Sequence, residues 1–263
     1  GAIDLALETA RSFDAHLVIA NDPDADRCAA AVNDPITGWR MLRGDELGAI
    51  FAESIARKID SGIFANSIVS SSIVKKIAEH YNLEFKETLT GFKWLAKIEN
   101  LTFGYEEALG YSVDSATVND KDGISAALLM VQIATDLKND GKTLDDLLDE
   151  IWKTYGFHAT EQISIRVNNL ALISTLMTKL RSNSASEIAG FKVLAMEDLS
   201  KPNNSLPPTD GLRFTLEKNI RIIIRPSGTE PKIKCYIEIV NLEKTIALSL
   251  LEQLRPSLRE LLS

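Results

Sequence analysis

Residues 63–88 read IFANSIVSSSIVKKIAEHYNLEFKET, and this stretch decides the fold class. Segments 63–69 and 83–88 are rich in β-branched and aromatic residues, which is typical of strands. The intervening segment, 72–81, places its apolar residues at the spacing of a helix face. A strand, a helix and a second strand in this order indicate a parallel sheet covered by helices. We therefore predict an α/β domain with a mixed, mostly parallel sheet.

The same alternation continues on both sides of this stretch. Further strands are predicted over residues 17–21 and 101–105, and helices over residues 3–13, 45–60, 92–99, 124–137 and 141–155. After Gly156 strand patterns prevail, which predicts that a smaller α+β domain follows the α/β domain. Its predicted strands cover residues 161–167, 191–194, 212–216, 220–224 and 233–240, and its predicted helices cover residues 169–181 and 242–262.

Composition restricts the class of protein. The 263 residues are 45% hydrophobic and 25% charged, as in an ordinary soluble protein of about two domains. A net charge of -8 disfavours nucleic acid as a partner, because such binding depends on neutralising phosphates. No apolar run approaches the ~20 residues of a membrane span, and the first residues carry no secretion signal. Cys28 and Cys235 lie in separate apolar runs, so we expect two buried thiols in a reducing cytoplasm.

An acidic segment follows the first predicted strand. Asp22, Asp24 and Asp26 alternate along a loop and can turn oxygen ligands toward one small divalent cation such as Mg²⁺. Arg27 adds positive charge that could neutralise a phosphoryl group beside that cation. A calcium loop of the EF-hand type is excluded, because it needs glycine where Arg27 stands and glutamate where Asn33 stands. A solvated acidic turn without a ligand is the alternative.

A second polar segment, RPSGTEP at residues 225–231, connects two predicted strands near the C-terminus. Its arginine, its hydroxyl groups and its glycine are the parts of an anion-binding loop, which makes Arg225, Ser227, Gly228 and Thr229 candidate phosphate ligands. An ordinary hairpin connection with the same composition remains the alternative.

Three central segments place polar residues near the ends of predicted strands. Glu106 and Glu107 end the strand at 101–105, where open α/β sheets bind ligands, and a carboxylate there can accept hydrogen bonds from sugar hydroxyls. The pair Thr90 and Gly91 ends an earlier strand. Lys121 precedes a predicted helix, and a lysine near a cation and a phosphate can have a lowered pKa and transfer protons. An exposed strand end and a solvated lysine are the alternatives.

The order of four segments resembles the α-D-phosphohexomutase family. These segments are DPDADR at 22–27, TGFK at 90–93, GYEEALG at 104–110 and RPSGTEP at 225–231. The first and last are highly specific, and four unrelated matches in one fixed order are improbable.

The resemblance implies four domains around a central cleft. By it, residues 1–40 are the end of the second domain with the metal loop, residues 41–153 the sugar-binding third domain, and residues 154–263 the phosphate-binding fourth domain. It further implies that Asp22, Asp24 and Asp26 bind Mg²⁺, that Arg27 and Lys121 are catalytic, and that Thr90, Gly91, Glu106, Arg225, Ser227, Gly228 and Thr229 bind substrate.

The implied reaction moves phosphate between the 1- and 6-hydroxyl groups of a hexose. It proceeds through a phosphoserine and a hexose 1,6-bisphosphate, which is intermediate and activator. A glucose phosphate is the first expected substrate. A mannose, glucosamine or pentose phosphate, and a non-catalytic module that binds phosphosugars, are the alternatives.

Two departures from the family pattern affect this interpretation. Many members carry serine two positions after the sugar-binding glutamate, where this chain has Ala108. The first domain with its phosphorylated serine also has no counterpart here. We therefore expect the N-terminal domains of the same polypeptide to be missing partners, and the chain to be inactive alone.

Overall fold

The chain forms two compact units, Gly1–Tyr155 and Gly156–Ser263, and each is described by itself. The computed structural model describes residues 3–34, 38–167, 170–182, 186–202, 206–228 and 230–262. The predicted division into segments 1–40, 41–153 and 154–263 stays a prediction. In the described part of the chain no helix is both long and apolar enough to cross a lipid bilayer.

The first unit begins with a helix that covers a small antiparallel sheet. Its elements are α1 (Asp4–Ser12), β1 (Leu17–Asn21), β2 (Cys28–Asp34) and β3 (Gly38–Met41), and the sheet order is β1-β2-β3. Small side chains let α1 approach the sheet, where Ala10 packs with Val18 and Ala31. Because β1 and β2 are antiparallel neighbours, the acidic segment between them forms a tight connection at one end of this sheet.

The rest of the first unit is the predicted α/β domain. Its elements are α2 (Gly44–Ala56), β4 (Ile63–Ser67), α3 (Ile73–His80), β5 (Glu84–Thr88), β6 (Leu101–Glu106), β7 (Gly110–Ser112), α4 (Gly123–Asn139) and α5 (Leu144–Tyr155). The sheet order is β5-β4-β6-β7, with β4 parallel to both β5 and β6, and β7 antiparallel to β6. This arrangement confirms the mixed, mostly parallel sheet. The carboxyl ends of β4, β5 and β6 therefore share one edge, where ligands bind in open α/β sheets.

Aromatic side chains form the centre of this domain. Phe51 on α2 contacts Tyr111 edge-on, with ring centroids 5.0 Å apart, and Phe64 contacts Phe103 in the same way at 5.5 Å. Both geometries are favourable for aromatic rings. The packing fixes β6 and β7, which carry the polar residues of the sheet edge.

One predicted helix does not form. The predicted helix over residues 92–99 is wrong, because only a 3-10 turn at Leu95–Lys97 is present. Phe92 and Leu95 are buried against Ala65 and Leu101, and Ile98 is already extended. Burial of Phe92 and Leu95 and the extended backbone at Ile98 therefore leave room for single turns between β5 and β6, but not for a continuous helix.

The second unit is an antiparallel sheet with two helices. Its elements are β8 (Phe157–Arg166), α6 (Leu170–Ser182), β9 (Glu187–Ile188), β10 (Phe191–Asp198), β11 (Leu212–Leu216), β12 (Ile220–Pro226), β13 (Lys232–Asn241) and α7 (Lys244–Leu262). The sheet order is β8-β13-β12-β11-β10-β9, and α7 packs on β8 and β13. This confirms the α+β domain.

Both cysteines are buried and free. Burial raises the pKa of Cys28 to about 11 and that of Cys235 to about 12, so both are protonated at neutral pH. The prediction of two buried thiols is confirmed.

Candidate active site

The acidic loop, residues 22–27, lies between β1 and β2 and is closed by Arg27. The backbone N–H of Arg27 donates to Asp22 Oδ1 at 3.1 Å, and its Nε donates to Oδ2 at 2.7 Å. Burial by itself would raise the pKa of Asp22, but these hydrogen bonds and the guanidinium charge hold the pKa below its ordinary value. Asp22 is therefore an anion at neutral pH.

A second cation reaches the loop from the start of α4. Lys121 Nζ lies 2.7 Å from Asp26 Oδ2. Burial would lower the pKa of Lys121, but the hydrogen bond and the charge of Asp26 outweigh it and the pKa is raised. In this arrangement Lys121 therefore carries its proton, and the lowered pKa expected beside a bound cation and a phosphate stays a prediction. The negative charge of Glu106 adds to the same shift, so Glu106 lies near this pair.

The acidic loop offers the ligands that a hard divalent cation prefers, because Asp22, Asp24 and Asp26 are three carboxylates on one short loop. Ala25 takes a left-handed φ of 55°, which turns the chain between Asp24 and Asp26. Over the described ranges, no group of three or more His, Cys, Asp or Glu side chains converges closely enough to hold a metal ion. The three carboxylates are ligands of the type that suits Mg²⁺, but in this arrangement they do not converge, and Asp22 and Asp26 are paired with Arg27 and Lys121.

Backbone contacts fix the acidic loop from two sides. The N–H of Gly123, the first residue of α4, donates to the Ala25 carbonyl at 3.0 Å. On the other side, Cys28 donates to the Leu109 carbonyl at 3.0 Å, and Arg27 forms a β-bridge with Gly110. These contacts join the acidic loop to the turn that follows Glu106. No local pattern in the sequence indicates these long-range backbone contacts.

Two predicted sugar-binding segments meet directly. The Glu106 carboxylate accepts a hydrogen bond of 2.6 Å from the backbone N–H of Gly91. Gly91 has a φ of 108°, a conformation that is open to glycine and strained for other residues. Thr90 lies just before Gly91, after the carboxyl end of β5. The structure therefore brings Gly91, Glu106, Lys121 and the acidic loop to one region of the first unit.

Glu107 has a different environment from Glu106. Its Oε2 accepts hydrogen bonds from Ser70 Oγ at 3.1 Å and Ser67 Oγ at 3.4 Å. Burial, followed by the charges of Asp45 and Glu106, raises its pKa to about 7. Both glutamates were predicted at the strand end, but the buried cluster of Glu107 with Ser67 and Ser70 was not. The serine run at 70–72, directly after a strand, was the available signal.

The hairpin loop, residues 225–231, belongs to the second unit and joins β12 to β13. Ser227 N–H donates to the Lys232 carbonyl at 2.8 Å, which closes the loop. A side chain at Gly228 would meet no atom within 4 Å, so the space beside this glycine is open. Thr229, the remaining candidate ligand of this loop, lies outside the described residues.

Four cationic residues lie on one face of the sheet beside this loop. Arg225 is directly opposite Lys234, and Lys232 is directly opposite Arg166. Opposite residues of antiparallel strands share a face, as do residues two apart on one strand, so the four form one cation face.

One carboxylate lies among these cations. Glu230 pairs with Lys232 at 2.7 Å and with Arg166 at 3.2 Å. The hydrogen bond from Lys232 and the surrounding positive charges lower its pKa. Since like charges directly opposite each other destabilise a sheet, the cation face suits a bound anion. Sequence analysis identified only Arg225 of these four.

Comparison with protein families decides the identity of the chain. Residues 43–155 match the model of phosphoglucomutase/phosphomannomutase alpha/beta/alpha domain III, and residues 177–248 match the model of the C-terminal domain of the same family. The chain belongs to the phosphoglucomutase/phosphomannomutase family. The predicted resemblance to the α-D-phosphohexomutases, and to their C-terminal portion, is confirmed.

Two curated members of the family show how much of a family member's length this chain covers. A probable phosphomannomutase of Haemophilus influenzae is 47% identical over 240 residues, which cover 90% of this chain and 49% of the relative. A phosphoglucomutase of Staphylococcus aureus is 36% identical over 262 residues, covering 90% of this chain and 47% of the relative. The chain therefore spans about half the length of these relatives.

Solved structures share the fold at lower identity. The phosphoglucomutase pp63/parafusin of Paramecium superposes with a TM-score of 0.71 at 22% identity, covering 91% of this chain and 44% of that structure. An N-acetylphosphoglucosamine mutase of Aspergillus fumigatus, solved with GlcNAc-6P and magnesium, superposes with a TM-score of 0.54 at 17% identity, covering 98% and 53%. At these identities the matches establish the fold alone.

Proposed function

We propose that the complete protein is a phosphohexomutase that moves phosphate between the 1- and 6-hydroxyl groups of a hexose. The observation that carries the proposal is the meeting of the acidic loop, Lys121, Glu106 and Gly91 at the sheet edge of the first unit. Carboxylates for a cation, a proton-bearing amine and a carboxylate for hydroxyl groups are the parts that phosphoryl transfer on a sugar needs. The family membership supports the same function.

The acidic loop is the proposed metal site. We propose that Asp22, Asp24 and Asp26 hold Mg²⁺, which when bound would neutralise charge on the transferring phosphoryl oxygens. Arg27 keeps its guanidinium at the loop and adds positive charge for the same oxygens. Lys121 holds its proton at Nζ beside Asp26, and we propose it as the general acid that gives this proton to a leaving oxygen.

The sheet edge is the proposed sugar site. Glu106 accepts a hydrogen bond from Gly91 through one oxygen, and a carboxylate can accept further hydrogen bonds from neighbouring sugar hydroxyls. We propose that Glu106 orients the ring through two hydroxyl groups and that Thr90 and Gly91 border it. Ala108 offers no hydroxyl to the sugar, which leaves recognition at this turn to Glu106.

The hairpin loop is the proposed site of the phosphate that is not transferred. We propose that Arg225, Ser227, Gly228 and Thr229 hold it, with further charge from Lys232, Lys234 and Arg166. The like-charged cross-strand pair of Arg225 and Lys234 supports this role, because an anion would relieve their repulsion, whereas Lys232 and Arg166 already pair with Glu230.

The remaining step requires groups outside this chain. We propose that a phosphoserine in another part of the complete protein gives its phosphoryl group to a sugar hydroxyl, whose proton passes to a protein base while the leaving serine oxygen takes up a proton. The resulting hexose 1,6-bisphosphate then gives its other phosphoryl group to the serine hydroxyl, whose proton is removed while the leaving sugar oxygen is protonated. By this proposal the 263 residues alone bind metal and phosphosugar but do not turn over.

Activity measurements on the complete protein test this function. With Mg²⁺ and a trace of glucose 1,6-bisphosphate, we expect conversion of glucose 1-phosphate to glucose 6-phosphate. Glu106→Gln should lower kcat/KM by about 100-fold, since an interaction worth about 2.8 kcal/mol is removed from the bound sugar. Glu99→Gln, an exposed carboxylate of the same unit, is the matched control and should retain the rate.

Mannose 1-phosphate is the second candidate substrate, favoured by the 47% identity to a probable phosphomannomutase. Comparing kcat/KM for the glucose, mannose and pentose phosphates separates the candidates. Binding of all three without turnover would contradict the enzyme and favour a phosphosugar-binding module.

A further inference from the structure

The residues that surround the acidic loop include two that make contacts without offering a ligand. Asn21 ends β1, and its side-chain Nδ2 donates to the Arg27 carbonyl at 2.8 Å. Gly123 begins α4, and its N–H donates to the Ala25 carbonyl at 3.0 Å. Two carbonyl groups of the loop, on either side of Asp26, are therefore held by donors from outside it.

Gly123 also approaches the loop more closely than any other residue type could. A Cβ at this position would lie 2.4 Å from the Arg27 carbonyl oxygen, 2.5 Å from Asn21 Nδ2 and 2.7 Å from the Ala25 carbonyl oxygen. Each separation is shorter than van der Waals contact allows. Two of the three atoms belong to the backbone, so a side chain would displace the loop itself.

The held carbonyls control the direction of the carboxylates. Ala25 adopts a left-handed φ of 55° between Asp24 and Asp26, and such a residue keeps its conformation only where its surroundings fix it. The contact from Gly123 is made to the carbonyl of this same residue. Moving that carbonyl would rotate the adjoining peptide and with it the backbone that carries Asp26.

The segment before α4 links this contact to the charged side chain of the site. Lys121 pairs with Asp26 at 2.7 Å, and Asp122 caps α4 through the N–H groups of Ile124 and Ser125, each at 3.1 Å. The capped helix start is a rigid support. The backbone clamp from Gly123 and the ion pair from Lys121 therefore act on the same loop from one fixed segment.

We propose that Gly123 and Asn21 form a backbone clamp that sets the relative positions of the three aspartates for a divalent cation. Both are positioning residues, since each holds a backbone carbonyl of the loop and neither carries a carboxylate. The inference rests on the proposed metal role of the acidic loop. Residues that orient metal ligands typically change metal affinity by about 10- to 100-fold when altered.

The test measures Mn²⁺ binding to the 263-residue chain, by paramagnetic broadening of amide signals in the first unit, together with amide hydrogen exchange of residues 21–28. Gly123→Ala is expected to weaken Mn²⁺ binding by about 10- to 100-fold and to speed exchange in this segment. Asn21→Ala adds no atoms and should weaken binding by about 3- to 10-fold. If Gly123→Ala does not fold, Mn²⁺ binding to Asn21→Ala still tests the clamp.

Gly62→Ala is the matched control. A Cβ there would lie 2.5 Å from Thr102 Oγ1, a comparable clash in the same unit between residues outside the acidic loop and its clamp. It should lower stability and leave Mn²⁺ affinity unchanged. Equal Mn²⁺ affinity of Asn21→Ala and the unaltered chain, or an equal loss in Gly62→Ala, would overturn the clamp. Absence of Mn²⁺ binding to the unaltered chain would instead contradict the proposed metal loop, and the clamp with it.

Discussion

Lys234→Gln should have opposite effects on two properties of the second unit. It should raise the free energy of unfolding and lower the affinity for phosphate. Lys234 is directly opposite Arg225, so their Cβ atoms are about 5 Å apart. If the charged ends of the two side chains are about 7 Å apart, they repel by about 0.6 kcal/mol in water, and by more where solvent is partly excluded. The substitution should therefore raise the free energy of unfolding of the second unit by about 0.5 to 1 kcal/mol.

The same substitution should weaken phosphate binding. Loss of one charged donor removes about 1.4 kcal/mol, a tenfold change in affinity, so inorganic phosphate should stabilise the variant less than the unaltered chain. Denaturant unfolding with and without phosphate measures both effects. Lys192→Gln is the control, because Lys192 lies opposite the anionic Glu187 and should lose a little stability without affecting phosphate. A less stable Lys234→Gln variant, or an unchanged phosphate effect, would refute the reasoning.

Two further substitutions probe the buried polar groups. Glu107 has a pKa raised from 4.5 to about 7 by burial and by Asp45 and Glu106, so the folded protein binds this proton more tightly than the unfolded chain. Its stabilising contribution is complete below pH 4.5 and is lost as the pH rises through 7, so Glu107→Gln should gain up to roughly 3 kcal/mol relative to the unaltered chain between pH 5 and pH 8. Urea unfolding at both values checks this, and a difference independent of pH would contradict it. Glu238 is buried and pairs with His158 at 3.0 Å and Arg221 at 2.9 Å, so Glu238→Gln should cost about 3 kcal/mol in thermal or denaturant unfolding. The exposed control Glu260→Gln should stay within about 0.5 kcal/mol, and a similarly small loss for Glu238→Gln would show that the network contributes little.

The order of strands and helices in the α/β domain could be predicted, because the local spacing of apolar residues differs between strands and helices. The strand at 17–21 and the strand at 212–216 match β1 and β11 residue for residue. The helix at 92–99 failed for a tertiary reason, since Phe92 and Leu95 are drawn into a small core that leaves room only for single turns. The three-residue strand Gly110–Ser112 was missed, because a segment this short has no period of its own.

The carboxylates of the candidate site could be located from the sequence, but the contacts that support them could not. Asp22, Asp24 and Asp26 follow a strand in a local pattern that chemistry can interpret. The clamp from Gly123 depends on a contact across about a hundred residues of chain, which no local pattern reveals. The raised pKa of Lys121 likewise depends on Asp26, which reaches it only in the folded unit.

The most direct test of the proposed phosphohexomutase is the Mg²⁺-dependent conversion of glucose 1-phosphate to glucose 6-phosphate by the complete protein and its Asp24→Asn variant. Asp24 is exposed, so the variant should keep the fold while losing one cation ligand. We predict turnover that requires Mg²⁺ and a loss of about 100-fold or more in kcat for Asp24→Asn. Equal rates for the two proteins, or turnover unaffected by removal of Mg²⁺, would contradict the assignment of the acidic loop as the metal site of a mutase.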